Sequence, residues 1–284
     1  MSVTFYWNAA NHYGFDATAE PSNSGESYTC SGGEKTGVLY DLVDNRRTNV
    51  TTWDTSEQSV TTTIRLDLTS SATCSTVIID NHNLKSAEAD VDIEQGGFNI
   101  SLTSSYSGTL GSETSEDSTA GTPDTDGITI INFTGVADTQ WEVELNYNVG
   151  IGNFEDDIYI GEIVFGNWKA PTNNPELQPI FSYDMPGSSY RETDGGQRYG
   201  FSTHEERRKG WRMTWKYMSD SDKDDLEEFF NKVRGSKYPF YIDLSGPLGN
   251  TNPTLYYVRF TKPLSFTGIT KDAWQVSIDI EEEI

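Results

Sequence analysis

One short stretch limits what this chain can fold into. In Asp225–Leu244, DLEEFFNKVRGSKYPFYIDL, the apolar residues Leu226, Phe229, Phe230 and Val233 fall at i, i+3, i+4 and i+7, the stripe of an amphipathic helix. Ser219 or Ser221, each with an acid three residues on, supplies an N-terminal cap, and Gly235 is placed to end the helix. Almost everything around it reads as strand. The spacing therefore predicts one helix, at about 221–234, set against a mainly β protein.

A chain of 284 residues is long enough for two cores. Through about Lys169, short runs of β-branched or alternating residues recur: TTTIRLDL (Thr61–Leu68), TVIID (Thr76–Asp80), ADVDI (Ala89–Ile93), GITIINF (Gly127–Phe133), WEVELNY (Trp141–Tyr147) and IYIGEIVFGNW (Ile158–Trp168). Turns rich in Ser, Thr, Gly and Asp separate them, and the longest, Ser104–Asp126, reads as an exposed excursion. Short antiparallel strands with long loops predict a β-sandwich, a jelly roll, over 1–169. Lys169–Pro179, with three prolines, reads as a linker. Over 170–284, GWRMTWKYM (Gly210–Met218) alternates Trp211, Met213, Trp215 and Tyr217 with Arg212, Thr214 and Lys216. The helix, Tyr238–Leu244, Leu255–Phe260 and Trp274–Ile280 follow, which predicts a compact β-sandwich or barrel with one α-helix.

The formal charge of −24 is uneven, with 6 Lys and Arg against 26 Asp and Glu before residue 171, and 14 against 18 from there on. Such a first half has no basic stripe to displace counterions from nucleic acid, and no apolar run approaches the roughly 20 residues of a membrane-spanning helix. The N-terminal MSVTFYWNAANHYGF lacks the pattern of a leader peptide. Cys30 and Cys74 stand in no metal spacing; two buried free thiols are expected over one disulfide. The sequence has no Gly-x-Ser-x-Gly elbow, His-Glu-x-x-His, P-loop or dinucleotide fingerprint, and spacing selects no pair from 44 acids, so no enzyme is expected.

Within the first half, DLVDNRRTNVTTWD (Asp41–Asp54), then TTTIRLDL, then TVIIDNHNL resembles the galactose-binding-like (discoidin-type) jelly roll over some 130 residues. The resemblance implies a glycan-facing loop mouth, with Trp53, Arg46, Asn81 and His82 as its residues. Trp53 either packs under the loops or stacks on a sugar ring, and His82 either holds its loop by hydrogen bonds or meets a ligand. Asp41, Asp44 and Asp54, or Glu155, Asp156 and Asp157, could supply oxygens to Ca²⁺; no other cofactor is expected.

The second half carries a more specific order. GWRMTWKYMSDSDKDDLEEFFNKVRGSKYPFYIDL, followed by YYVRFTKPLSFTGITKDAWQVSIDIEEEI, resembles the minor tail and distal tail proteins of long-tailed bacteriophages, over about residues 158–284. The resemblance implies a tail-tube-like domain in a ring near the tail tip, with a hexamer the commonest form. The implied partners are further copies of the chain, tail tube, tip or hub and fibre proteins, and host surface glycan, in a virion assembled in the host cytoplasm. Opposite charges suit head-to-tail contacts, with Arg207, Arg208, Lys209 and Arg212 facing Glu281, Glu282 and Glu283 of a neighbour. The other expectation, resting on the first half alone, is a secreted or surface carbohydrate-binding protein.

Overall fold

The computed structural model describes residues 3–8, 27–31, 34–37, 39–44, 46–56, 61–95, 98–99, 102–106, 126–147, 153–180, 189–192, 198–201, 209–248 and 255–283. The protein is mainly β, as the alternation predicts. It divides into two compact units, Tyr6–Trp168 and Lys169–Ile284, the latter including the first residues through Phe5.

The strands of the first unit are β1 (Thr4–Asn8, shared at its start with the second), β2 (Ser27–Ser31), β3 (Glu34–Thr36), β4 (Thr51–Asp54), β5 (Thr62–His82), β6 (Ala89–Gln95), β7 (Phe98–Asn99), β8 (Leu102–Tyr106), β9 (Gly127–Tyr147) and β10 (Ile158–Lys169). A 3-10 turn, Leu39–Val43, precedes β4. β5 and β9 run antiparallel along most of their length, from Thr62 opposite Leu145 to His82 opposite Gly127. Their ends take different neighbours. The Thr62–Asp67 end of β5 is flanked by β2, and the far end of β9 by β6. The Thr76–His82 end of β5 is flanked by β10, and the near end of β9 by β8.

Ile64, Leu66, Trp141 and Val143 from one half join Val77, Ile79, Ile131 and Phe133 from the other in one buried cluster. The two halves therefore face each other as layers of a sandwich. Sequence punctuation predicts four short strands here, but β5 and β9 run straight through Thr69–Ser71 and Thr134–Thr139. Thr is β-branched and tolerates strand geometry, and register shifts between Asp67 and Ala72 and between Cys74 and Thr76 absorb the bend without ending the strand. Cys74 is a free, buried thiol whose pKa burial pushes up. Of the long excursion, Leu102–Tyr106 is strand and 107–125 lie outside the described residues.

The second unit comprises β11 (Glu176–Ile180), β12 (Ser189–Glu192), β13 (Arg198–Phe201), β14 (Gly210–Met218), α1 (Asp220–Lys232), β15 (Phe240–Asp243), α2 (Ser245–Leu248), β16 (Leu255–Phe260), β17 (Phe266–Thr270) and β18 (Ala273–Glu282). Its sheet order is β11-β14-β18-β16-β15, with β17 also on β18. Part of the predicted linker is strand, because Glu176–Ile180 pairs with Gly210–Thr214. The Ser219 side chain accepts from the Asp222 amide at 3.1 Å, capping α1. After the C-terminal turn, Gly235 adopts φ 67° and its amide donates to the Phe230 carbonyl, a geometry that suits glycine.

Leu226, Phe229 and Val233 are buried, as the stripe predicts. Phe229 lies edge-on to Phe240, with ring centroids 4.9 Å apart, and 5.1 Å from Phe5; Phe240 and Phe260 complete the cluster. Two elements carry no strong sequence signal: β17, and the one-turn α2, which begins where Asp243 accepts from the Ser245 amide and hydroxyl. Phe229→Ala should cost about 3–5 kcal/mol of stability in the second unit, because its neighbours cannot collapse into the space. Urea unfolding followed by Trp fluorescence would measure it; a loss under 1 kcal/mol would contradict this packing.

Candidate functional site

At one end of the first unit, the Asp44–Ser56 segment meets the end of β5 and the start of β10. The segment is held by polar side chains beneath it. Asp44 accepts from the Arg46 amide and from Asn49 Nδ2, each at 2.7 Å, and the Asn49 amide donates to the Arg46 carbonyl to close the turn. Asn81, at φ 52°, donates through Nδ2 to the Arg47 carbonyl at 2.6 Å, while fully buried Asp80 pairs with Arg47 Nε at 3.4 Å. Gly161 on β10 makes the close approach possible. A Cβ there would collide with the Arg47 carbonyl and sit 2.9 Å from Asn81 Cβ. Arg46 and Thr48 stand exposed on the turn, with Val50 beside them.

A second layer ties the flanking loops. Asp157 Oδ1 accepts from the amides of Thr55 and Ser56. Asn83 donates through Nδ2 to the Asp157 carbonyl and accepts from the Tyr159 amide. These anchors are missed by motif reading, since a single Asn or Asp in a loop carries no spacing signature; the positive φ at Asn81 is of a kind Asn tolerates.

Measured against this geometry, the predicted site residues separate. Trp53 is fully buried and belongs to the core cluster, so it packs under the loops and offers no face to a sugar. His82 is 1% exposed, with Nε2 2.9 Å from Thr129 Oγ1 and Nδ1 accepting from the Leu84 amide, bonds that hold its loop. Arg46 is the exposed member, and Asn81 is half-buried and committed to the Arg47 carbonyl.

The acids do not form an ion site. Among the described residues no group of three His, Cys, Asp or Glu side chains converges, and Asp44 is occupied by its own turn. Burial holds the Asp44 carboxyl above its ordinary range, against the pull of its donors Asn49 and Arg46. Asp41 is half-buried in the 3-10 turn and Asp54 is exposed at the end of β4.

The residues expected to face a neighbouring copy have partners within the chain. Arg212 lies opposite Asp279 on paired β14 and β18, and its Nε and Nη2 donate to that carboxylate at 2.6 and 2.8 Å. Lys262 binds the same carboxylate. Arg259 Nε reaches Glu283 at 2.5 Å. Glu282 accepts from the Lys209 amide, and Lys209 Nζ lies 4.0 Å from its carboxylate and over the Tyr256 ring. Glu281 faces Gly210 and Arg259 across the ladder. Antiparallel pairing brings the two runs together within one chain, so these ions satisfy each other. Arg207 and Arg208 lie outside the described residues.

No protein-family model matches the chain, and no curated protein matches it. Among solved structures it is similar to the Clostridium perfringens module CpGH89CBM32-5 in complex with GalNAc-β-1,3-galactose, at 14% identity over 49% of this chain and 93% of that one, with a TM-score of 0.33. It is also similar to a fucolectin from striped bass (Morone saxatilis) serum, at 13% identity over 98% and 94%, TM-score 0.34. A truncated AlyQ with CBM32 and alginate lyase domains follows at 12% identity over 81% and 52%, TM-score 0.27. These likenesses are distant, and the site is read from its own contacts.

Two consequences follow from these contacts. Gly161→Ala should cost the first unit about 1–3 kcal/mol and speed exchange of the Asn49 amide, since the turn must lift off β10; unchanged exchange would show that the turn does not depend on the close approach. The hydrogen bonds from Arg212, with Lys262 beside it, hold the Asp279 carboxyl at about 2 although burial opposes them. A carboxyl held below its unfolded value stabilises the fold while ionised, so the contribution is complete above about pH 4 and is lost as pH falls toward 2. Asp279→Asn should therefore lose about 2 kcal/mol at pH 7, and roughly half that at pH 3. Denaturant midpoints across that range would measure it.

Proposed function

We propose that the chain is a structural, non-catalytic component of a bacteriophage tail, forming a ring near the tail tip through its second unit. The observation that carries this reading is the order and packing of that unit. The aromatic-alternating β14 leads through a capped turn into α1, whose Phe229 seats on Phe240 and Phe260, and the acid-tailed β18 closes the sheet. This order, in sequence, resembles distal tail proteins.

A closed ring needs two complementary surfaces on every copy. With the β14–β18 ion pairs satisfied internally, strand edges are the better means. Among the described residues the outer edges of β11 and β17 carry no further strand, and β17 has neither charge nor proline to discourage pairing. The component would be assembled in the host cytoplasm and carried in the virion tail, against tube, tip or fibre proteins.

The first unit, in this reading, faces outward and contacts host glycan through the anchored turn that exposes Arg46, Thr48 and Val50. The observation in favour is the rigidity of the turn: a loop held by Asp44, Asn81, Asp80 and Gly161 has little ordering entropy left to lose on binding.

Purified virions examined by cryo-electron microscopy and quantitative mass spectrometry should hold the chain as a low-copy ring, six copies being the expected count. A monomer absent from virions would overturn the tail reading and leave a free carbohydrate-binding protein. On a glycan array, binding by the full chain should fall at least tenfold on Arg46→Ala with stability unchanged; binding insensitive to Arg46 would remove the turn from the site.

A further inference from the structure

We propose that His82 is an acid-sensitive latch on the Asn83–Glu88 turn, because its ring accepts the Leu84 amide at Nδ1 and binds Thr129 through Nε2, an arrangement that only the neutral imidazole can hold. Nδ1 accepts a main-chain N–H at 3.2 Å and so carries no proton; the proton of the neutral ring then sits on Nε2, 2.9 Å from the Thr129 hydroxyl. An imidazolium donates from both nitrogens. Protonation would set a ring N–H against the Leu84 N–H, and one of them must leave.

The turn is what the latch controls. Its Asn83 side chain holds the Asp157 carbonyl and the Tyr159 amide, the Ala87 carbonyl accepts from the Glu155 amide, and the Ser86 amide donates to Asp126 at 2.9 Å. Asp157 in turn fixes Thr55 and Ser56. Releasing Leu84 therefore loosens the 153–159 loop and the end of the Asp44–Ser56 segment together, without breaking the β5–β9 ladder.

The charged groups on the surrounding elements do not hold the ring cationic. Asp126, at the head of β9, favours the imidazolium, but its carboxylate is engaged by Ser86: burial alone would raise its pKa, and the Ser86 donors hold it below the usual range. In the turn, Lys85 and Glu88 pair with each other at 3.5 Å. On β5, Asp80 is paired with Arg47, and β10 places Ile160 opposite His82. Before β10, Asp157 is committed to the Thr55 and Ser56 amides. Burial is the larger influence on the ring and lowers its pKa from 6.5 to about 4, with Asp126 offsetting part of it.

Any state in which the ring is released regains the ordinary value, so opening becomes easier as pH falls from about 6.5 toward 4. Hydrogen exchange of the full chain, corrected for intrinsic rates, should show opening of Leu84, Ala87, Ala89, Glu155 and Tyr159 rising about twenty-fold from pH 7 to pH 5. The β5–β9 amides should stay protected over the same range, and His82→Gln should abolish the response in the turn. Three results would overturn the proposal: flat protection of the turn down to pH 5, a pH response that survives in His82→Gln, or opening of the whole unit at once. Should His82→Gln fail to fold, ring nitrogen shifts of the native chain decide. A ring that becomes protonated while the Leu84 amide stays protected sinks the latch; protonation and Leu84 exchange that track each other support it.

Discussion

The first unit depends on the pairing of β5 with β9. Each strand is 21 residues long, and because they pair on both sides of the register shifts at a bend, one pair of strands supplies both layers of the sandwich. Side chains alternate along each half, so the bend turns Ile64, Leu66, Trp141 and Val143 toward Val77, Ile79, Ile131 and Phe133. A slip of one residue in either half would carry its inward set to the outside. The register shifts at the bend therefore have to place two independent alternations against a single core.

That constraint explains why the polar residues at the loop end are anchors. The core ends at Trp53, Leu84, Ala87 and Phe154, and the chain segments that cross over it have backbone groups to satisfy. Asn81, Asn83 and Asp157 do so with side chains that bond a main-chain amide or carbonyl of another segment, and His82 does so for the Leu84 amide two residues on. The same residue types would serve a ligand, and the geometry decides between the uses. A side chain committed to a neighbouring carbonyl is held in place by it, whereas Arg46, lifted above these anchors, is exposed.

How much of this was legible in the sequence follows from the range of each signal. The helix was readable to within a residue or two because its stripe, cap and stop all lie within seventeen residues, and each is a local rule. The alternating face of β14 was readable for the same reason. The continuity of β5 and β9 was not, since a Ser/Thr run between apolar segments looks the same whether the chain turns or bends. The β14–β18 ion pairs were invisible because Arg212 and Asp279 are 67 positions apart, and only strand pairing makes them neighbours. Trp53 and His82 were ambiguous in sequence, because a loop-flanking aromatic or histidine is the same letter whether it faces in or out.

The internal closure of those ion pairs also bears on how the second unit can associate. Asp279 is 5% exposed and takes both Arg212 and Lys262, so turning both cations toward a neighbouring copy would strand a nearly buried carboxylate. A contact that trades one such pair for another gains little, since both arrangements satisfy the same charges. A strand edge differs, because pairing it with another strand would join main-chain amides and carbonyls and cover side chains such as Ile269, which is 42% exposed on β17. Charge on this unit therefore acts mainly inside the fold, holding β14, β16 and β18 in register.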